Sequence, residues 1–155
     1  MATRATALPG VQLTAWVRFL RAHAALTRRL SADLVAEHGL TINDYEVLLH
    51  LSRAPEFALR RVDLAERVVL TASGITRLLE GLERAGYVER GDCPTDRRVV
   101  YARLTPAGRE KLREAAGTHL AGIRSLFTER FEEDELESLA SLLGRLPGAD
   151  EDAEC

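Results

Sequence analysis

The chain has little of what most site chemistries require. Two cysteines, Cys93 and Cys155, among 155 residues do not make the disulfide framework of a small secreted domain, and no Cys or His pair has zinc-site spacing. No apolar run reaches the ~18 residues of a membrane helix, and the opening MATRATALPG lacks the apolar stretch of a signal peptide. The expectation is a soluble, cytoplasmic protein with no membrane partner. There is no phosphate-binding glycine loop, nucleophile elbow or His-Glu-x-x-His pair. Ser73-Gly74 opens a helix, and Glu132, Glu133, Asp134 and Glu135 form one acidic run that suits a helix N-terminus better than acid-base chemistry. The sequence therefore offers no catalytic residue, no metal ligands and no cofactor site, and does not read as an enzyme.

What is present suffices for a core. A hydrophobic content of 46% excludes a disordered chain, and the length is that of about one domain. The net charge of −3 argues at first against a nucleic-acid partner, but it is unevenly spread. Residues 1–30 carry +5, 31–59 carry −4, 60–113 carry +4, 114–128 sum to zero and 129–155 carry −8. One basic surplus thus lies on the stretch that would meet phosphate, and the acidity is concentrated at the far end.

That stretch runs from Thr71 to Gly108. Ile75, Leu78, Leu79 and Leu82 recur at the spacing of one apolar helix face, Thr71 or Ser73 can cap its start, and Gly86 sits where a left-handed C-terminal cap forms. At about 100° per residue the opposite face carries Ser73, Arg77, Glu80 and Arg84, with Thr76 on its flank. Tyr87–Arg90 and Val99–Leu104 then read as strands, and residues 91–98 as an exposed loop. Adjacent arginines at its tip, Arg97 and Arg98, suit phosphate or minor-groove contact. Helix, strand, loop, strand and helix is the order of a winged helix.

The flanks fit around this. Residues 1–10 read as a flexible arm. A long helix from Val11 to about His38 carries Leu13, Trp16, Val17, Leu20, Ala24, Leu30 and Leu34 on one stripe; at ~40 Å it exceeds the needs of one small lobe. Thr41 to Asp44 is a capping pattern, and the helix it opens stops at Pro55. Residues 54–59 read as a connector, and 61–68 as the bracing helix of a helix-turn-helix whose second helix reads. Thr105-Pro106 opens a helix with Leu112, Ala116, His119, Ile123 and Phe127 on its stripe, and a last helix spans Asp134 to Leu146. Residues 148–155 form an acidic tail expected to be disordered. A second copy would cover the terminal stripes.

The runs LTASGITRLLEGLERAGYVER, PTDRR and RLTPAG resemble the multiple antibiotic resistance regulator (MarR) family, most strongly over residues 40–113. The resemblance implies a mainly α fold of the α+β type. Its winged helix-turn-helix lobe, residues 41–105, carries a two-stranded wing, and dimerisation helices at 11–38 and 106–147 complete a single domain. It implies a homodimeric, ligand-responsive repressor with double-stranded DNA as partner and a pseudo-palindromic operator. The DNA contacts would be Ser73, Thr76, Arg77, Glu80, Arg84, Arg97 and Arg98. It further implies a pocket for a small anionic or aromatic effector, with Trp16, His23, Asp44, Tyr45, His50 and Arg90 as candidates. A branch of the family answering urate-like or aconitate-like anions uses such a Trp, Asp and Arg set, where Arg77 would also serve. All but Arg90 have a plainer reading: Trp16 as core or dimer interface, Tyr45 as core, Asp44 as a helix cap, the histidines as partly buried.

Two other residues carry expectations. Asp96 is expected to hold Arg98 through a charge-assisted hydrogen bond. Cys93 lies near Arg97 and Arg98, whose charge would lower a thiol pKa, so a redox-sensing regulator is one alternative. The other is a winged-helix module that binds protein rather than DNA.

Overall fold

The computed structural model describes residues 7–68 and 70–149; residues 1–6, Val69 and residues 150–155, including Cys155, lie outside them. The expected flexible arm and disordered tail fall largely on those residues. In chain order the elements are α1 (Gly10–His38), α2 (Ile42–Arg53), a short 3-10 turn (Pro55–Phe57), β1 (Ala58–Arg60) and α3 (Arg61–Arg67). There follow α4 (Ala72–Arg84), β2 (Val88–Asp92), β3 (Val100–Leu104), α5 (Pro106–Leu126), a 3-10 turn (Thr128–Arg130) and α6 (Glu133–Leu143). The mainly α winged-helix fold read from the sequence is the fold observed. The chain divides into two compact units, residues 1–119 and 120–155.

In the first unit, local chemistry sets most boundaries. α1 ends where Gly39 takes φ 68°, a conformation that costs glycine nothing and lets its amide reach the Val35 carbonyl. α2 begins in a reciprocal cap: the Asp44 amide donates to Thr41 Oγ1 at 3.1 Å, and the Thr41 amide donates to Asp44 Oδ2 at 2.8 Å. The Ile42 amide donates to Ser31 Oγ at 3.1 Å, tying the entry of α2 to α1. Thr71, not Ser73, caps α4, accepting from the Gly74 amide at 3.1 Å. The core gathers Leu34 of α1, Val47, Leu48 and Leu51 of α2, Leu64 of α3 and Leu79 of α4, all fully buried.

β1 corrects the expected connector. Ala58, Leu59 and Arg60 pair antiparallel with Arg103, Ala102 and Tyr101, so the sheet has three strands in the order β1-β3-β2. Three residues are too few for alternation to register in the sequence; the partner strand supplies the conformation. β2 also continues through Gly91 and Asp92, pairing with Tyr101 and Val100, so the loop is shorter than expected.

The Leu-Thr-Pro-Ala-Gly run is a joint. Thr105 Oγ1 donates to the Gly86 carbonyl at 2.6 Å and accepts from the Gly108 amide at 3.0 Å, while the Thr105 amide donates to the Tyr87 carbonyl at 3.1 Å. The first turn of α5 is thereby bound to the chain leaving α4. Gly108 is required there, since a Cβ on it would stand 2.1 Å from the Tyr87 carbonyl oxygen.

In the second unit, α6 opens with a cap in which the Glu132 amide donates to Glu135 Oε2 at 2.9 Å. It ends at Leu143 rather than Leu146, with Gly144 as its C-terminal cap. Phe127 lies past the end of α5 and packs edge-on against Phe131, ring centroids 5.6 Å apart.

Candidate nucleic-acid interface

α4 has two faces because its apolar and polar residues keep separate angular sectors. Ile75, Leu79 and Leu82 are buried, while Ser73, Arg77, Glu80 and Arg84 are exposed and Thr76 is half-buried on the flank. Two of these side chains are partly held. Thr76 Oγ1 donates to the Ala72 carbonyl at 2.9 Å, and Arg84 Nε donates to the Glu80 carbonyl at 3.3 Å. Ser73 Oγ lies 3.2 Å from Thr71 Oγ1, beside the cap. Arg77 has no side-chain partner among the described residues and is exposed on an ordered helix.

At the wing, Arg97 and Arg98 are exposed and their guanidinium groups are likewise unpartnered among the described residues. The expected pairing of Asp96 with the Arg98 side chain is corrected. Asp96 Oδ1 instead accepts from the Arg98 backbone amide at 2.9 Å, and its carbonyl accepts from Val99 N at 3.1 Å. A carboxylate two residues before an amide closes a local turn more readily than it reaches a long side chain. The wing tip is thus folded by Asp96 and both arginines remain available.

Cys93 has a thiol held below its ordinary pKa, first by the Thr95 hydroxyl 3.3 Å from Sγ and then by the backbone amides of Thr95 and Asp96. The cause is hydrogen bonding, not the arginines expected from sequence. Cys93 also lines a cavity of about 550 Å³ with Pro55, Glu56, Tyr101 and Arg103. Sequence reasoning gave no sign of this hollow. Beside it Glu56 and Phe57 both take left-handed backbone, φ 55° and 58°, and Phe57 carries the Arg109 guanidinium 4.7 Å above its ring. Only Pro55 hinted at an unusual turn.

The six effector candidates are spread over α1, α2 and β2, and none lines that cavity. Trp16 is 53% exposed, 6.5 Å from the Phe19 ring. Asp44 is engaged in the α2 cap. Tyr45 is buried, with the His119 ring 4.5 Å away. His119 has a buried Nδ1 without a partner, and burial holds its imidazole below the ordinary range. His23 acts across to Glu46, whose carboxyl is raised by burial and partly lowered again by that histidine. His50 is half-buried on α2, and Arg90 Nε lies 3.8 Å from Asp92 on β2. His23 thus acts on Glu46 and Tyr45 packs on His119, whereas Arg90 sits on the wing sheet. Among the described residues no group of three or more His, Cys, Asp or Glu side chains is placed to hold a metal ion, and no helix is long and apolar enough to cross a membrane.

A bracing helix, an amphipathic second helix and a β-hairpin on a three-stranded sheet define a winged helix-turn-helix protein. The sequence profile of the MarR family matches residues 38–99. The chain is 31% identical over 111 residues to the HTH-type transcriptional repressor YetL of Bacillus subtilis, covering 72% of this chain and 66% of that one. Among solved structures it is similar to AbsC, a MarR family transcriptional regulator from Streptomyces coelicolor, at 33% identity and a TM-score of 0.82, covering 90% and 93% of the two chains. It is also similar to Sco3205 of the same organism, a MarR family regulator solved in complex with DNA, at 28% identity and a TM-score of 0.85, covering 96% and 94%. The chain belongs to the MarR family of transcriptional regulators. These relatives are regulators rather than enzymes.

Proposed function

We propose that the chain is a ligand-responsive repressor that binds a pseudo-palindromic operator as a homodimer. The observation that carries the reading is the set of exposed arginines on two preformed elements: Arg77 on α4, Arg97 and Arg98 on the wing, all unpartnered among the described residues. α4 enters the major groove with Ser73, Thr76, Arg77, Glu80 and Arg84 toward bases and phosphates, and the wing arginines reach the adjacent minor groove. Dimerisation is supported by apolar side chains left uncovered: Val11, Leu13, Trp16, Phe19 and Leu20 on α1, and Phe131, Leu142 and Leu146 in the second unit. Two copies present two reading helices to half-sites about one helical turn apart.

The effector is a small anionic or aromatic molecule read by Trp16, His23, Tyr45 and His50, with Asp44 and Arg90 as further candidates. The half-buried Glu46 facing His23 and the His119 ring packed on Tyr45 support a polar ligand near α2. Such a ligand changes operator affinity only through unequal affinity for the DNA-competent and incompetent states. The test is fluorescence polarisation of the full chain on a duplex selected from a random pool, titrated with salt. Arg97→Ala or Arg98→Ala is expected to weaken binding to all duplexes alike and to reduce the salt slope by about 1. No binding at low salt would instead favour a protein-interaction module. A melting-temperature screen with aromatic acids, urate and aconitate tests the effector.

A further inference from the structure

The ion pair between Arg61 and Glu83 differs from the pairs Arg60–Asp63 and Arg29–Asp33. Arg60 with Asp63 and Arg29 with Asp33 lie within one helix or at its entry. Arg61 and Glu83 are 22 residues apart in sequence, and Arg61 Nη2 donates to Glu83 Oε1 at 2.9 Å. Arg61 is the first residue of α3 and Glu83 lies in the last turn of α4. Both side chains are largely removed from solvent, 19% and 28% exposed. The contact therefore ties the bracing helix to the far end of the reading helix.

Stability alone does not account for it. Arg61 Nε is buried without a partner, and a buried guanidinium with an unmade bond returns little of its desolvation cost. A planar guanidinium supplies direction instead. Leu64 of α3 and Ile75 and Leu79 of α4 belong to one apolar core, and apolar attraction is itself non-directional. Arg61 also lines a hollow of about 290 Å³ with Arg60, Val62 and residues 98–100, so the start of α3 lies beside the root of the wing while its guanidinium reaches the end of α4. Glu83 is one turn beyond Glu80 on a helix offered to phosphate.

We infer that Arg61 is a positioning residue for sequence readout: by holding Glu83 it sets the pitch of α4 on α3. This rests on the DNA-reading proposal and deepens it. Arg61 touches no base, so its loss degrades discrimination between duplexes and leaves the number of phosphate contacts unchanged.

The experiment uses the full chain with two duplexes, one selected by the wild-type protein from a random pool and one scrambled. Arg61→Met keeps the apolar stem and removes the charge. The expected result is a fall of about tenfold or more in the ratio of selected to scrambled affinity, the loss of one good base contact, with the salt slope unchanged. Glu83→Gln falls in the same direction by less, since its amide keeps an acceptor and carries no charge. The exchange Arg61→Glu with Glu83→Arg recovers most of the ratio. An unchanged ratio in Arg61→Met overturns the inference. So does a slope reduced by about 1 with both affinities falling together, which makes Arg61 a phosphate contact, or an exchange variant no better than the singles. Should Arg61→Met melt early, Glu83→Gln decides, because it preserves volume. A wild-type chain that selects no duplex defeats the DNA-reading proposal itself, a result distinct from every outcome for the variants.

Discussion

The joint at Gly108 is open to a sharp stability test. An alanine there places Cβ 2.1 Å from the Tyr87 carbonyl oxygen and 2.7 Å from Leu104 Cδ1. The leucine methyl can rotate away, but the carbonyl is backbone and already accepts from Thr105 N at 3.1 Å. Relief requires the first turn of α5 to retreat by roughly 1 Å or more to reach ordinary contact distance. That retreat stretches the Thr105 amide bond to Tyr87 and the Thr105 hydroxyl bond to Gly86, at about 1 kcal/mol each. Overpacking adds about 1–3 kcal/mol, and the better helix propensity of alanine returns up to about 1 kcal/mol. Gly108→Ala is thus expected to destabilise by about 2–4 kcal/mol, a large part of a typical stability of ~5–15 kcal/mol. Gly81→Ala in α4 is the control. No atom lies within 4 Å of its new Cβ, so it is expected to stabilise by about 0.5–1 kcal/mol. Urea unfolding at one fixed protomer concentration measures both. A Gly108→Ala protein within about 0.5 kcal/mol of wild type would show that the joint yields without cost and refute the reasoning.

Other outcomes follow from single contacts. Thr41→Ala removes one half of the α2 cap and is expected to cost about 1 kcal/mol by the same unfolding measurement. Burial keeps the His119 imidazole below its ordinary value of 6.5, so the unfolded chain takes up a proton that the folded chain resists; stability is lost as pH falls below that value. His119→Phe is expected to flatten that part of the melting-temperature profile. Glu46 has the opposite sign. Its carboxyl is raised above 4.5, so the folded chain binds the proton more readily, and Glu46→Gln removes a gain that appears on acidification toward that value. Trp16→Glu places a charge on the exposed apolar stripe of α1 and is expected to shift sedimentation from dimer toward monomer.

Much of this fold is legible in the sequence because its signals are local. Gly39 ends α1 and the Thr41/Asp44 pair opens α2 through contacts only a few residues long, which a reader of the chain sees directly. The two faces of α4 follow from period alone. What escaped reading depends on partners distant in sequence. β1 exists because β3 pairs with it, and the left-handed Glu56 and Phe57 have no glycine to announce them. Arg61 and Glu83 each look like ordinary helix charges until α3 crosses α4. Asp96 failed differently: its neighbourhood to Arg98 was right, but the backbone amide won over the guanidinium because it is closer and already ordered. Among the effector candidates, Asp44 was legible as a cap, while the proximity of Tyr45 to His119 required α5 to fold back across α2.

The wing hangs from a strand held on both sides. β3 bonds to β2 along one edge and to β1 along the other, and β1 runs directly into α3. A loose hairpin would have to order itself on contact with a duplex, and that ordering would surface as an entropic penalty in every measured affinity. Under the DNA-reading proposal, the pairing of β1 with Tyr101, Ala102 and Arg103 places the strand's share of that penalty in folding. To that extent the heat-capacity change of association follows from the surface that the duplex covers rather than from strands that form on contact.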